Sequence, residues 1–253
     1  MNAAAKPSPY NPYKRNLPAA FRAVRKLLRD PNDTAQVFVI MQSLNGPTAP
    51  ANFGRLMKRP GGPEQAYRRV ELAERFSEPA FIASFAPETV GAAYRSFLEE
   101  TGYSAKGLAE VSNLDGRPLV QHPYAWMGRR ARDVHDIWHV LTGYKADEPL
   151  GEAALVAFSY AQTGGLGWAW IALAAGLKSL RDTRGTTYAR ALIEGYRRGR
   201  KAAWLLGEDY EALMHEPLVA ARERLGIGQA SAYAAARAKL TEWAASRAAA
   251  AAS

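Results

Sequence analysis

From Ala153 to Leu177 the chain reads AALVAFSYAQTGGLGWAWIALAAGL, 25 residues with no charged side chain. A segment of that length is driven out of water, either into a bilayer or into the core of a folded domain. Ser159, Tyr160, Gln162 and Thr163, with Gly164, Gly165 and Gly167 close behind, argue for the core. The expectation is a buried central helix starting near Leu150. Glycines in such a helix let a second backbone or a ligand approach closely, and Trp168 and Trp170 would supply flat apolar walls. Gly164, Gly165 and Trp168 are therefore the candidate lining of a long apolar tunnel.

A helix covered on all sides needs neighbours, and the rest of the chain offers further helices. Asp33 is placed to cap a helix through VFVIMQSL that Gly46 and Pro47 end, while PEQAYRRVELAERF and PETVGAAYRSFLEETG each open on Pro and Glu, a first-turn preference. YARALIEGYRRGRKAAWLL, EPLVAARERLG and an Ala-rich segment follow with helical character, whereas SNLDGRPLVQHP, from Ser112, is a turn-rich loop. No stretch alternates with period two and no internal repeat is visible. The predicted class is all-α, a single-domain helical bundle around a central apolar helix. Its predicted limits are residues 18–248, between a flexible Pro-rich arm at 1–17 and an Ala-rich tail at 249–253 that frays.

Up to Asp30 the chain holds seven basic residues and no other acidic one, with prolines at 7, 9, 12 and 18 and no apolar run suited to a secretory signal. Secretion is not expected. Phe21, Val24, Leu27 and Leu28 fall at helical spacing among Arg22, Arg25, Lys26 and Arg29. That pattern predicts a basic amphipathic helix that packs on the core or lies on an anionic bilayer, packing being its ordinary use.

The candidate chemistry lies just upstream of the apolar segment, in RDVHDIWHVLTGYKADEPLGEAAL. On a helix His135 and His139 share one face and can reach one ion, as in metal-binding helices with histidines at i and i+4. Asp136 stands about 100° around that helix, near enough to bind the same ion or to act as a base. Gly143 ends the helix, and Glu152 stands in the first turn of the next, where a closing carboxylate of an antiparallel pair belongs. A chance pair on a solvated face is the bland alternative; the chain has four histidines in all, and two of them are here beside carboxylates. Arg132 and Asp133 are expected on the solvated face or behind a histidine, orienting its second nitrogen. With no cysteine in the chain, His, Asp and Glu are the available ligands, a set that suits Zn2+ and equally a ferrous two-His-one-carboxylate centre.

These residues carry a resemblance. HDIWHVLTGYKADEPLGEAALVAFSYAQ resembles the signature of the Coq4 family of ubiquinone biosynthesis proteins, which is HDxxH, eleven intervening residues and Glu. GYRRGRKAAWLLGEDYEALMHEPLVAARERLGI resembles the family's C-terminal block, and the similarity extends from about Pro31 to Ile227. Here twelve residues, Val140 to Gly151, separate His139 from Glu152, which makes Asp147 and Glu148 rival ligands; the Leu-Gly-Glu context favours Glu152. The resemblance implies an enzyme of ubiquinone biosynthesis. It would carry out metal-dependent oxidative decarboxylation and hydroxylation at C1 of a prenylated 4-hydroxybenzoate-derived precursor. His135, Asp136, His139 and Glu152 would hold Zn2+ or another divalent metal such as Fe2+, Asp136 would move protons, and the tunnel would take the prenyl tail. The expected partners are the prenylated precursor, other ubiquinone biosynthesis proteins, an anionic membrane surface and a second copy in a homodimer. The expected place is the cytoplasm, peripherally on the inner membrane.

Two other classes remain. A scaffold would bind lipid and metal without turnover, presenting intermediates to other enzymes. An HD-type metal phosphohydrolase would need a further upstream histidine, and His122, in a loop, is poorly placed for it. The net charge of +9 requires an anionic partner, but the basic residues are spread over several helices without interleaved aromatics, so nucleic acid is not expected.

Overall fold

In a computed structural model of the chain, which describes Asn11 and residues 13–30, 33–44, 46–113, 119–183 and 186–252, the regular elements are helices. In chain order they are α1 Leu17–Arg29, α2 Thr34–Leu44, α3 Thr48–Leu56, α4 Gly62–Arg68, α5 Leu72–Arg75, α6 Pro79–Ala83, α7 Val90–Thr101 and α8 Gly107–Ser112, then α9 Pro123–Asp133, α10 His135–Thr142, α11 Pro149–Thr163, α12 Leu166–Thr183, α13 Thr187–Lys201, a 3-10 turn Leu205–Gly207, α14 Tyr210–Leu213, α15 Leu218–Arg224 and α16 Ser231–Ala252. No strand occurs among the described residues; one isolated bridge pairs Thr89 with Pro217. The all-α expectation holds, and one main core unites the chain from Leu56 to Ala236.

The predicted central helix is two helices. α11 ends at Thr163 because Gly164 turns left-handed, φ 70°, and its N–H closes the last turn on the Tyr160 carbonyl. α12 then leaves in a new direction. Other long predicted helices are also broken. Arg69, at φ 43°, stops α4 short of Val70, whose carbonyl takes the Trp126 indole N–H at 3.1 Å, while Glu71 takes Arg129 Nε at 2.9 Å. Those bonds to α9 take the place of continued helix. α7 starts at Val90 rather than at Pro87, capped by the Thr89 hydroxyl at 3.1 Å from Ala92 N, and α13 stops at Lys201.

α1 begins at Leu17 with Asn16 as its side-chain cap, and Asn16 N donates to the Ser43 carbonyl at 2.8 Å, so the end of the arm is tied to α2. Residues 1–10 and 12 of the arm, and 114–118 of the predicted loop, lie outside the described residues. At the other end α16 runs through Ala252.

α11 and α13 pack backbone to backbone. A Cβ on Gly195 would lie 2.4 Å from the Ala154 carbonyl oxygen, and one on Gly199 would lie 2.7 Å from that of Phe158. The two glycines, four apart in GYRRG, thus let α13 seat on the backbone of α11. A second, smaller core of Ala20, Ala23, Ile40 and Leu44 joins α1 and α2, with Leu166 and Ile171 of α12 against it.

Candidate metal centre

Every residue of α10 is buried, so HDIWH is an interior helix and the solvated-face alternative falls. It is held at both flanks and at its end. Trp138 Nε1 donates to Tyr210 Oη at 2.6 Å. The carbonyls that end a helix have no partner within it, and here two arginines supply one: Arg222 donates to Val140 O and Leu141 O at 2.8 and 2.9 Å, and Arg198 Nη2 to Thr142 O at 2.9 Å. Both arginines belong to the C-terminal segment whose basic residues the sequence reading left without a role.

Gly143, at φ 77°, ends α10 and turns the chain back, so that α11 brings Glu152 to the histidines. Glu152 Oε1 lies 3.2 Å from His139 Nε2 and Oε2 lies 3.5 Å from His135 Nε2. One ligand atom from each of the three residues falls within 4.8 Å of the others. His139 Nδ1 is 2.9 Å from the Tyr144 carbonyl, which places the proton on Nδ1 and leaves the Nε2 lone pair facing the carboxylate. That Nε2 is fully buried and makes no well-aligned hydrogen bond, although Glu152 is near. A buried lone pair aimed past its carboxylate neighbour at a shared point is the arrangement a divalent ion satisfies, so the donor set fits a metal.

Aromatic rings enclose the pair. Trp168 stacks on His135 at 5.5 Å and 5°, and Phe97 of α7 stacks on His139 at 5.9 Å and 17°. His135 and His139 are 9% and 2% exposed, whereas the Glu152 side chain keeps 41% of its surface, so the centre is reached from the carboxylate side. Burial pushes the Glu152 carboxyl up, but the two histidines outweigh it and hold the group well below the usual carboxylate range. Burial presses His135 down; the adjacent Glu152, with Asp136 adding to it, more than reverses this.

Asp136 stands outside the three-residue group. It is buried, and burial lifts its carboxyl above the usual range, partly offset by the two histidines. Glu148, a rival in the sequence, is taken instead by Tyr233 Oη and by Arg237 at 2.9 Å. Asp133 corrects another expectation. It is buried and accepts Arg132 Nε at 2.6 Å and Ala73 N–H at 3.3 Å, so it ties α9 to α5 rather than orienting a histidine. Of the candidate tunnel residues, Trp168 touches the centre, while Gly164 is exposed and a Cβ there would meet nothing within 4 Å. The other two histidines are accounted for: His122 Nδ1 caps α9 at 3.1 Å from Tyr124 N, and His215 packs 5.1 Å from the Phe85 ring.

Residues 6–231 match the family model described as coenzyme Q (ubiquinone) biosynthesis protein Coq4. A mouse mitochondrial ubiquinone biosynthesis protein COQ4 homolog is 26% identical over 173 residues, 68% of this chain and 63% of the mouse protein. The zebrafish homolog is 33% identical over 140 residues, 55% and 49% of the two chains. A Pyrenophora tritici-repentis protein, also described as mitochondrial, is 31% identical over 110 residues, 44% and 36%. The matched part thus spans between about a third and two thirds of these relatives' length. The crystal structure of a Nostoc punctiforme protein described as a candidate ubiquinone biosynthesis protein superposes with a TM-score of 0.62 at 20% identity, covering 85% of this chain and 100% of that one, and so shares its fold.

Proposed function

Because the chain belongs to the Coq4 family of coenzyme Q (ubiquinone) biosynthesis proteins, we propose that it acts on a prenylated, 4-hydroxybenzoate-derived ring. In this reading the C1 carboxylate leaves as CO2 and one atom of dioxygen takes its place as hydroxyl, while the other leaves as water with two electrons and protons from an external two-electron reductant; His135, His139 and Glu152 would hold the divalent metal. The observation that carries this reading is the convergence of those three side chains in an aromatic enclosure open on one side. When bound, Zn2+ or Fe2+ would supply Lewis acidity and, in the ferrous case, a redox centre.

The chain's own residues do the rest. The Tyr144 carbonyl fixes the tautomer of His139, and Trp168 and Phe97 exclude water and offer flat faces to a ring. Asp136, whose carboxyl burial lifts, holds or passes a proton beside the ring. Two residues beyond Trp168 begins an exposed apolar face of α12, Trp170, Leu173, Leu177 and Leu180, which receives the prenyl tail at about 0.8 kcal/mol per buried methylene. α1 packs against α12 and exposes Leu17, Phe21 and Leu28 among Arg22, Arg25, Lys26 and Arg29, a combination that suits the surface of an anionic bilayer. No helix among the described residues is long and apolar enough to cross a membrane. The proposed association is peripheral, through the α1 and α12 surfaces, and a homodimer, measured by sedimentation, belongs to the same proposal.

The test joins metal analysis and mass spectrometry of co-purifying lipid with turnover of a prenylated 4-hydroxybenzoate-derived precursor under oxygen. Metal at about one equivalent with a C1-hydroxylated product supports the reading. Metal and lipid without product replaces it by the scaffold, which the breadth of the exposed apolar face favours. The phosphohydrolase reading has lost its upstream histidine to the cap of α9.

A further inference from the structure

On the side of α13 away from α11 lies an open groove of about 850 Å³, closed below by the turn that leads into α16. Its lining includes Arg190, Arg197, Arg198, Arg200 and Lys201 and a single carboxylate, Glu194. That carboxylate is already engaged. Its Oε1 accepts the Ser231 hydroxyl at 3.1 Å and Ala232 N–H at 2.8 Å, and its Oε2 accepts Tyr233 N–H at 2.9 Å, capping α16. Arg198, 8% exposed, gives Nε to the Gly228 carbonyl at 3.0 Å and Nη2 to Thr142, while Nη1 finds no acceptor. Carbonyl dipoles hold its charge in place without cancelling it. Arg190, Arg197, Arg200 and Lys201 are exposed and make no ion pair among the described residues.

We propose that this groove docks an acidic segment of a partner protein. The cations from Arg190 to Lys201 extend over three turns, about 16 Å of helix, too long for one phosphate and matched to carboxylates spaced along a polypeptide. Among the lining residues only Ile193 is a large apolar side chain and none is aromatic, which favours neither insertion into lipid nor stacking of bases. The groove is also concave, whereas a bilayer meets the flat or convex side of a protein. Carboxylates entering it meet four exposed cations, with the buried Arg198 adding its charge from behind, so they accelerate encounter and set orientation more than they add affinity, and salt weakens both.

The experiment uses the full chain and a fluorescent helical peptide of about 16 residues carrying Glu at i and i+4, with the same peptide carrying Gln as control. Anisotropy should show binding of the Glu peptide only, weakening as salt rises. Arg197→Glu with Lys201→Glu should lower the affinity about tenfold or more, and Arg197→Ala with Arg200→Ala should lower it less. Arg22→Glu with Lys26→Glu, the same change of net charge on α1, should leave it within about twofold. Circular dichroism checks that each variant is folded. Equal losses in the two charge-reversal variants would mean that net charge binds the peptide, and the proposal falls. It also falls if the wild-type chain binds neither peptide, if the Gln peptide binds equally, or if the α13 variant loses anionic vesicles while keeping the peptide.

Discussion

α11 and α12 share the uncharged run from Ala153 to Leu177, yet they live in different surroundings. Of the 15 residues of α11, 11 are buried, under α10 on one side and α13 on the other. α12 packs against α1, α2, α11 and α13 on its inner side and leaves Leu173 and Leu177 63% and 60% exposed. Burial therefore depends on what neighbours can approach, and the difference lies in α13. Gly195 and Gly199 bring it onto the backbone of α11, whereas it meets α12 through side chains, Leu192 lying 3.5 Å from an ideal Cβ on Gly176, and among the described residues no helix seats on the outer side of α12 in that way. The covered helix delivers a carboxylate to a fixed point. The uncovered one keeps an apolar surface free for something outside the chain.

The largest expected effect attacks the covered side. Gly195→Leu must force a side chain into the 2.4 Å between its ideal Cβ and the Ala154 carbonyl, so α11 and α13 separate. Overpacking of this kind costs about 3 kcal/mol, more than leucine's better helix propensity of about 1 kcal/mol returns. Urea denaturation should show that loss. A variant as stable as the parent would mean that the close approach does not hold the two helices together.

Next is His139→Ala, which removes one of the three proposed ligands. The affinity for Zn2+ or Co2+, measured by competition with a chromophoric chelator, should fall about 100-fold, close to 2.7 kcal/mol. Binding to anionic vesicles, which concerns the α12 and α1 surfaces, should be unchanged. If both fall together, the two regions are coupled and their separation here is wrong.

Much of the covered side was legible in the sequence. The i and i+4 histidines, the Gly143 stop and Glu152 are local signals, and an eight-residue helix with 3.6 residues per turn leaves few other outcomes. The rest was set by distant partners. α4 ends at Arg69 because α9 offers Val70 and Glu71 better bonds, and Asp133 serves α5 because Arg132 and Ala73 meet it there. The break at Gly164 was announced by Gly164–Gly165, and the glycine spacing in GYRRG could have revealed the α11–α13 contact. The exposure of α12 was not legible in the run from Ala153 to Leu177, whose uncharged, mostly apolar residues continue from the buried α11 into α12 without a change of character.

A smaller effect concerns pH in the metal-free chain. His135 is raised by Glu152, and Glu152 is lowered by the histidines. The raised histidine contributes fully below its ordinary value of 6.5 and loses its contribution as pH rises through its folded value. The lowered carboxylate contributes above its ordinary value of 4.5 and loses its contribution as pH falls through its folded value. Both are present together from about pH 4.5 to 6.5, so the difference in stability between the parent and Glu152→Gln should be greatest there and shrink on either side. With solvent on the carboxylate the effect is modest. A difference that kept growing above neutral pH would assign it to something other than an imidazolium–carboxylate pair.

The smallest expected change in stability is on the uncovered side, and it sharpens the comparison most. Leu173→Ser with Leu177→Ser removes apolar surface that already faces water, so the folded chain should lose no more than about 0.5 kcal/mol. The same pair should weaken binding to anionic vesicles, and retention of prenyl lipid, by about tenfold, because that surface leaves water only when a lipid covers it. Metal affinity should stay that of the parent, the mirror image of His139→Ala. A loss of 2 kcal/mol or more would mean that these leucines are already covered in solution, by a second copy or by the chain itself. Sedimentation before and after the substitution separates those two cases: a dimer that dissociates identifies the second copy, and an unchanged monomer identifies the chain.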